Sequence, residues 1–472
     1  MRPAAPSAPP RRRGFSAASG LLALTACAGW AGSGGCGTDI PVLLAGDAGV
    51  VAPPLSDGSI GTNADYCSSS GPPVLVASAA DGGVTTTCPD DLAQRAFRYA
   101  LCACSSFVGG ALATDAFDGT QGGYTAATSV AGGSVGVDGM LHPGQMQIGG
   151  SLWASSAGDI TTTAAMVVDG DLHAEGELHP SPSLTVQGDA WMAGGVQTGG
   201  DVTVGGTLHV PASATLDVAG MRNFGAPDGT PFSVAPPCDC NLDPFVDIAG
   251  VVATYRANND DMALGIGPHQ LANVQADTTL SLPCGRIYFD TIAGQAAIHL
   301  TATGRVAIFV GGDLSTSDFT IDTLPGAEVD LFVAGSMTVS GAFQVGDPAN
   351  PARGRTYVGG PTVNLQGVST LDGNLYAPNA TLTLGTAPTV VFGALFIGSL
   401  SSQSDLTIHY DTAVGTMATS SCPAPAICAS CDDCNGGACV GGKCIACADS
   451  TECCAPLVCS PQHTCVAGVP PR

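Results

Sequence analysis

A five-residue phrase recurs ten times along this chain: an apolar residue, any residue, glycine, a small or polar residue, and usually a second apolar residue. It reads Ala131-Gly-Gly-Ser-Val135, Ile148-Gly-Gly-Ser-Leu152, Val168-Asp-Gly-Asp-Leu172, Val186-Gln-Gly-Asp-Ala190 and Val204-Gly-Gly-Thr-Leu208. It returns as Val310-Gly-Gly-Asp-Leu314, Val333-Ala-Gly-Ser-Met337, Val358-Gly-Gly-Pro-Thr362, Leu371-Asp-Gly-Asn-Leu375 and Val391-Phe-Gly-Ala-Leu395. The third-position glycines of the first five copies are 17, 20, 18 and 18 residues apart. A near-constant period of this size indicates stacked coils, and apolar residues at every second position make those coils β-strand. The expected fold is all-β: a parallel β-helix (β-solenoid) with a short N-terminal capping helix, a mid-chain insertion and a small disulfide-rich C-terminal module.

Composition agrees. The 472 residues include 65 glycines, with only 5% aromatic and 11% charged side chains, which suits coils closed by glycine turns better than a large enzyme core. A hydrophobic content of 45% argues against a disordered Gly/Pro-rich chain. The formal net charge is −25, and it becomes −29 without Arg2, Arg11, Arg12 and Arg13 near the N-terminus; Lys443 is the lone lysine. So acidic a chain has no basic face for nucleic acid or anionic lipid, leaving cations, neutral glycans and proteins as expected partners.

Arg11-Arg12-Arg13, an apolar run from Phe15 to Leu24, and small residues before Cys27 make residues 1–26 a secretory signal peptide, too short to span a bilayer. Leu24-Thr25-Ala26-Cys27 resembles a bacterial lipobox. That resemblance implies a lipoprotein in which Cys27 becomes the first residue and carries diacylglycerol; an ordinary signal cut nearby is the other reading.

Residues 27–60 read as a flexible tether and 61–124 as a cysteine-containing capping region, with a helix over Cys88–Cys102 begun by Pro89, Asp90 and Asp91. The first array of coils spans 125–221, and an insertion spans 222–297 with a short helix from Asp247 to Asn258. The second array spans 298–415, and 416–472 form a cysteine-rich knot. Ten coils at about 4.8 Å spacing give a stack on the order of 45–50 Å.

Strand parity places Trp153, His173, Trp191 and His209 in one outer column, beside a second column of Ser151, Asp171, Asp189 and Thr207. Exposed aromatics flanked by acids and hydroxyls suit sugar rings. The alternatives are a column covered by another segment or subunit, rings that stack only on each other, and a weak His-based metal site.

Twenty cysteines in an exported chain read as disulfides. Cys67, Cys88, Cys102, Cys104, Cys238, Cys240 and Cys284 would fasten the cap and the insertion to the solenoid. Cys428, Cys431, Cys434, Cys439, Cys444, Cys447, Cys453, Cys454, Cys459 and Cys465 would staple a tail too small for a core of its own. Glu452-Cys-Cys-Ala-Pro-Leu-Val-Cys459 resembles cystine-knot toxins and the Dickkopf-type cysteine-rich module. Modules of this kind bind proteins or resist proteolysis.

No GxSxG, HExxH, Walker or Rossmann phrase stands in a fitting context. His173-Ala-Glu-Gly-Glu-Leu-His179 puts two histidines and two glutamates on one parity, with a turn expected at Gly176 and Pro180. Asn258-Asn-Asp-Asp261 resembles one fragment of the β-helical polygalacturonases, whereas pectate-type lyases need a basic residue: the lone Lys443 is in the knot, and Arg305, Arg353 and Arg355 have no companion motif. Asp243, Asp247, Asp260 and Asp261 read either as a Ca²⁺ cluster or as solvated carboxylates. No catalytic residue and no cofactor are assigned.

Residues 88–415, including Gly373-Asn-Leu-Tyr-Ala-Pro-Asn379 and Ile408-His-Tyr-Asp411, resemble β-helical domains of unknown function in myxobacterial-type surface lipoproteins, and also the bactofilins. The resemblance implies a cell-envelope protein at the outer membrane or cell surface. Its role would be structural or adhesive, its partners a surface glycan or an envelope protein, and its contact with the membrane an N-terminal lipid. A polysaccharide-degrading enzyme and a spacer presenting the knot are the alternatives.

Overall fold

The computed structural model describes residues 62–68, 76–80, 83–87, 96–238, 240 and 246–416, together with 438–440, 443–445, 453, 457–459 and 465–467 of the tail. The body is an all-β parallel solenoid of about 13 turns. In the first array each turn lays one short strand on each of three faces. A typical turn runs Leu152–Ala154, Ile160–Thr161, Met166–Val168; the next runs Leu172–Ala174, Leu178–His179, Leu184–Val186. Successive turns pair in parallel and in register, for example Leu172 with Leu152 and Met166 with Leu184. Many strands are only three residues long and bury the first and third side chains, as in Leu152 and Ala154 around a half-buried Trp153. Stacking then joins these inward residues into one apolar core along both arrays.

The order of the turns differs from the order of the chain. Leu101–Gly109 and Leu112–Phe117 form a turn of their own. On one side it pairs with Leu395–Ser402 and Leu406–Asp411; on the other it pairs with Val135–Val137, Met140–Pro143 and Met146–Ile148. The chain therefore enters mid-stack, winds the first array outward to Arg222–Asn223, returns to the opposite end, and winds the second array back to its own first turn. This corrects the end of the expected capping helix over Cys88–Cys102: Ala96 is helical, but strand begins at Leu101. Residues 88–95 lie outside the described residues, but Leu101 and Cys102 are central strand. Leu101, Ala103 and Phe107 face the core, and pairing on both edges overrides helix propensity. The second array also starts before residue 298, at Thr278–Leu282 and Gly285–Phe289.

The return segment is a strap along the first face. Its expected helix is Ile248–Ala257, with the Asp247 carboxylate accepting the Gly250 N–H at 2.8 Å and Asn258 following the last turn. The strap meets the turns in reverse stacking order. Val234 N–H donates to Glu175 at 2.6 Å, Cys238 and Cys240 are disulfide-bonded to Cys102 and Cys104, and Tyr255 stacks on Phe309 with centroids 4.1 Å apart. A third disulfide, Cys67–Cys284, fixes the helix Asn63–Ser68 to the end where the second array begins.

In the tail, Ala438–Val440 pairs antiparallel with Lys443–Ile445, and Leu457–Cys459 with Cys465–Ala467; Cys453 is disulfide-bonded. The leader, the tether, Cys27, Cys88 and the pairing of the remaining tail cysteines lie outside the described residues.

Candidate functional site: the outer column

The register aligns one outer position through twelve successive turns: Tyr288, Phe309, Phe332, Tyr357, Tyr376, Phe396, Cys102, Gly136, Trp153, His173, Trp191 and His209. At about 4.8 Å per turn the column is on the order of 50 Å long. Its first six members are aromatic, and all six lie in a buried cluster with Val251 and Val252 of the strap helix. Phe309 stacks on Phe332 at 5.1 Å, and Phe332 on Tyr357 at 4.5 Å. The strap crosses the column at Cys102 and Gly136: a Cβ at residue 136 would lie against Pro237 and the Cys238 sulfur, so glycine leaves room for the crossing.

Beyond the crossing stand the four residues read from the sequence. Ring centroids are 3.6 Å apart for Trp153–His173, 4.3 Å for His173–Trp191 and 4.8 Å for Trp191–His209, with interplanar angles of 12°, 6° and 4°. The rings are half-buried and cover one another's faces, leaving chiefly edges toward solvent. Trp153 Nε1 and His173 Nε2 are buried without a hydrogen-bond partner among the described residues. Burial, with a smaller contribution from His209, pushes the His173 pKa down to about 3, so the imidazole is neutral. His209 closes the column with Nδ1 3.2 Å from Asp228 Oδ2.

Asp171 and Asp189 face the next turn rather than a ligand. Asp171 Oδ1 accepts the Asp189 N–H at 2.8 Å, and Asp189 Oδ1 accepts the Thr207 N–H at 2.6 Å. Ser134 Oγ begins the same ladder by accepting the Ser151 N–H at 3.0 Å, and Ser151 Oγ accepts the Asp171 N–H at 3.0 Å. The acids are corner staples, a role their spacing of one repeat already contained.

Charged groups weighed for catalysis or Ca²⁺ are also engaged. Arg355 is fully buried and forks onto Asp330 at 2.6 and 2.8 Å while reaching Glu328 at 3.1 Å. Arg305 bonds Glu328 at 3.1 Å and the Tyr66 carbonyl at 2.9 Å, docking the N-terminal helix. Burial alone would lower the Arg355 pKa, but Asp330 and Glu328 outweigh it and raise it, so the guanidinium stays charged. Asp260 bonds Arg286, Asp261 accepts the Tyr288 N–H, and Asp247 caps its helix, so these three do not converge as a Ca²⁺ cluster; Asp243 lies outside the described residues. Asp138, Cys238 and Cys240 do converge, but both cysteines are in disulfides. This network escaped sequence reasoning because its partners are 23 or more residues apart and meet only through the stacking register.

Fold and column together define a β-solenoid whose outer face is closed by its own strap. Residues 240–417 match a domain of unknown function (DUF7305). The match takes in the strap helix and the whole second array, but neither the Trp/His half of the column nor the tail. No curated protein and no solved structure matches the chain. Among the described residues no helix is long and apolar enough to cross a membrane.

Proposed function

We propose that the protein is an exported, lipid-anchored component of the cell envelope whose solenoid acts as a rigid structural spacer. The observation carrying this reading is the twelve-turn outer column, in which each aromatic ring is packed on its neighbours or under the strap. Sugar recognition by stacking needs open ring faces, and in Trp153 and Trp191 those faces meet histidine. Three disulfides fit an oxidising compartment. The lipobox-like Leu24-Thr25-Ala26-Cys27 supplies the anchor, and Cys67–Cys284 ties the segment after it to one end of the stack.

Presentation of the knot at a spacer tip has less support, because the chain leaves the stack at Thr412–Thr416, beside mid-stack turns. An enzymatic reading loses Asp260 and Asp261 to Arg286 and Tyr288.

The test is fatty-acid labelling and membrane fractionation of wild type and Cys27→Ser, with retention on insoluble polysaccharides measured alongside. Labelling lost in Cys27→Ser, together with no polysaccharide retention, is expected. Retention that disappears in Trp153→Ala/Trp191→Ala would replace the spacer by a glycan binder, and unlabelled wild type would remove the anchor.

A further inference from the structure

The second face of the first array carries a cluster outside the column. Leu178 pairs with Ile160 and His179 with Thr161, so Glu177 stands beside Asp159 on the adjoining turn. The Ile160 N–H donates to the Glu177 carbonyl at 2.9 Å, which fixes that superposition. Both acids follow a glycine: a Cβ at Gly176 would collide with the Gly158 carbonyl, so the two corners close on each other only because residue 176 lacks one. One ligand atom from each of Asp159, Glu177 and His179 lies within 4.8 Å of the others, and His179 Nε2 is 3.9 Å from Asp159 Oδ2.

The contrast with the corner ladder is informative. There, each stacked aspartate accepts an N–H from the next turn. Here, neither the Asp159 nor the Glu177 carboxylate accepts a hydrogen bond from any described residue, and the half-buried His179 imidazole approaches Asp159 no closer than 3.9 Å. Like charges in register on neighbouring strands repel. His179 also lines a cavity of about 440 Å³ with Gln197, Thr198 and Asp217.

We propose that Asp159, Glu177 and His179 bind one divalent transition-metal ion of the Zn²⁺ class at the edge of this cavity. Two carboxylate oxygens and one imidazole nitrogen are a donor set for zinc-like ions, whereas Ca²⁺ and Mg²⁺ prefer oxygen alone. Three protein ligands leave a coordination position for water or a small ligand, and the cavity supplies space for it. The ion would neutralise the stacked acid pair and join consecutive turns. This site is independent of the spacer reading and sits on a different face from the column.

The experiment titrates the chelator-stripped full chain with ZnCl₂ by calorimetry, with circular dichroism to check each variant's fold. One equivalent is expected, weakened at least about tenfold in Glu177→Gln and in His179→Ala. His299→Ala, an exposed histidine held by Thr320 on the third face, should bind as wild type does. Should His179→Ala fail to fold, the nearly isosteric Glu177→Gln decides. A Co²⁺-loaded sample should lack thiolate charge-transfer absorption, placing the ion away from the tail cysteines. Absence of Zn²⁺ binding, binding unchanged in Glu177→Gln, or displacement by equimolar Ca²⁺ would each overturn the assignment.

Discussion

Gly188 lies directly over Asp171. A Cβ at residue 188 would press on Asp171 Oδ1, the oxygen that accepts the Asp189 N–H at 2.8 Å. Gly206 stands in the same relation to Asp189, and Gly335 to Asp313, whose Oδ1 accepts the Ser336 N–H at 2.8 Å. In these three copies of the phrase the glycine leaves room for the carboxylate one turn below and for the glycine carbonyl beside it. Backbone conformation is not the cause, since Gly188 has no left-handed φ.

Gly188→Ala should therefore act through Asp171. The added methyl displaces the carboxylate and costs about 1–3 kcal/mol. Asp171→Ala should cost a similar amount by leaving the Asp189 N–H unpaired. In an Asp171→Ala background the Gly188→Ala penalty should shrink without vanishing, because the carboxylate has gone while the Gly170 carbonyl still faces the new methyl. Denaturant midpoints of the four proteins in the cycle check this, and strict additivity would refute the coupling.

The strap makes a second non-additive prediction. Cys102–Cys238 and Cys104–Cys240 each span 136 residues, but once one exists the other closes only a very short additional loop. Cys238→Ser or Cys240→Ser alone should cost little in chain entropy, while losing both bridges should cost on the order of 5 kcal/mol. Thermal melts of Cys238→Ser, Cys240→Ser and the double variant decide it; two large and equal single losses would contradict the shared-loop account.

The same contacts explain what the sequence disclosed and what it hid. Periodicity made the coils legible because every turn repeats one local solution. The Trp/His column was legible because in the first array the phrase marks the corner leading onto the first face, as Val168–Leu172 leads into Leu172–Ala174. In the copies at Val310, Val333 and Val358 the phrase marks the corner leaving that face, so Phe309, Phe332 and Tyr357 precede it and the aromatic half of the column went unread. The permuted order of turns was hidden because interlocking of Leu395–Ser402 with Leu101–Gly109 is a pairing between remote edges. No local pattern records such a pairing. The strap's path depends on the same long-range assembly, although its helix and cap were readable in place.

Asp372 occupies the second position of one phrase and is buried, with Oδ1 lacking a hydrogen-bond partner among the described residues. Burial, aided by the nearby charge of Asp347, pushes its pKa up to about 6. An acid raised in the folded state releases its proton first in the unfolded chain, so its contribution to stability falls as pH rises from about 4 to about 6 and stays low above that. Asp372→Asn should be more stable than wild type by about 3 kcal/mol at pH 7, with the advantage vanishing below about pH 4. Urea denaturation at both pH values checks it. An equal difference at the two would remove Asp372 as the source.

His173 should act in the opposite direction. It is neutral between Trp153 and Trp191, with its pKa pushed down to about 3 by burial first and by His209 second. The unfolded chain takes up this proton near pH 6.5 and the folded one only near pH 3, so stability is lost as pH falls through that window. Between pH 7 and pH 4 the loss assigned to this ring is about 3 kcal/mol. His173→Phe keeps an aromatic ring between the tryptophans but cannot titrate. Its difference in unfolding free energy from wild type should move in favour of the variant by that amount on acidification. Tryptophan fluorescence reads the transition at the column itself, since Trp153 and Trp191 are two of the chain's three tryptophans. Parallel acid profiles for the two proteins would show that the stacked histidine does not bear the proton-linked cost.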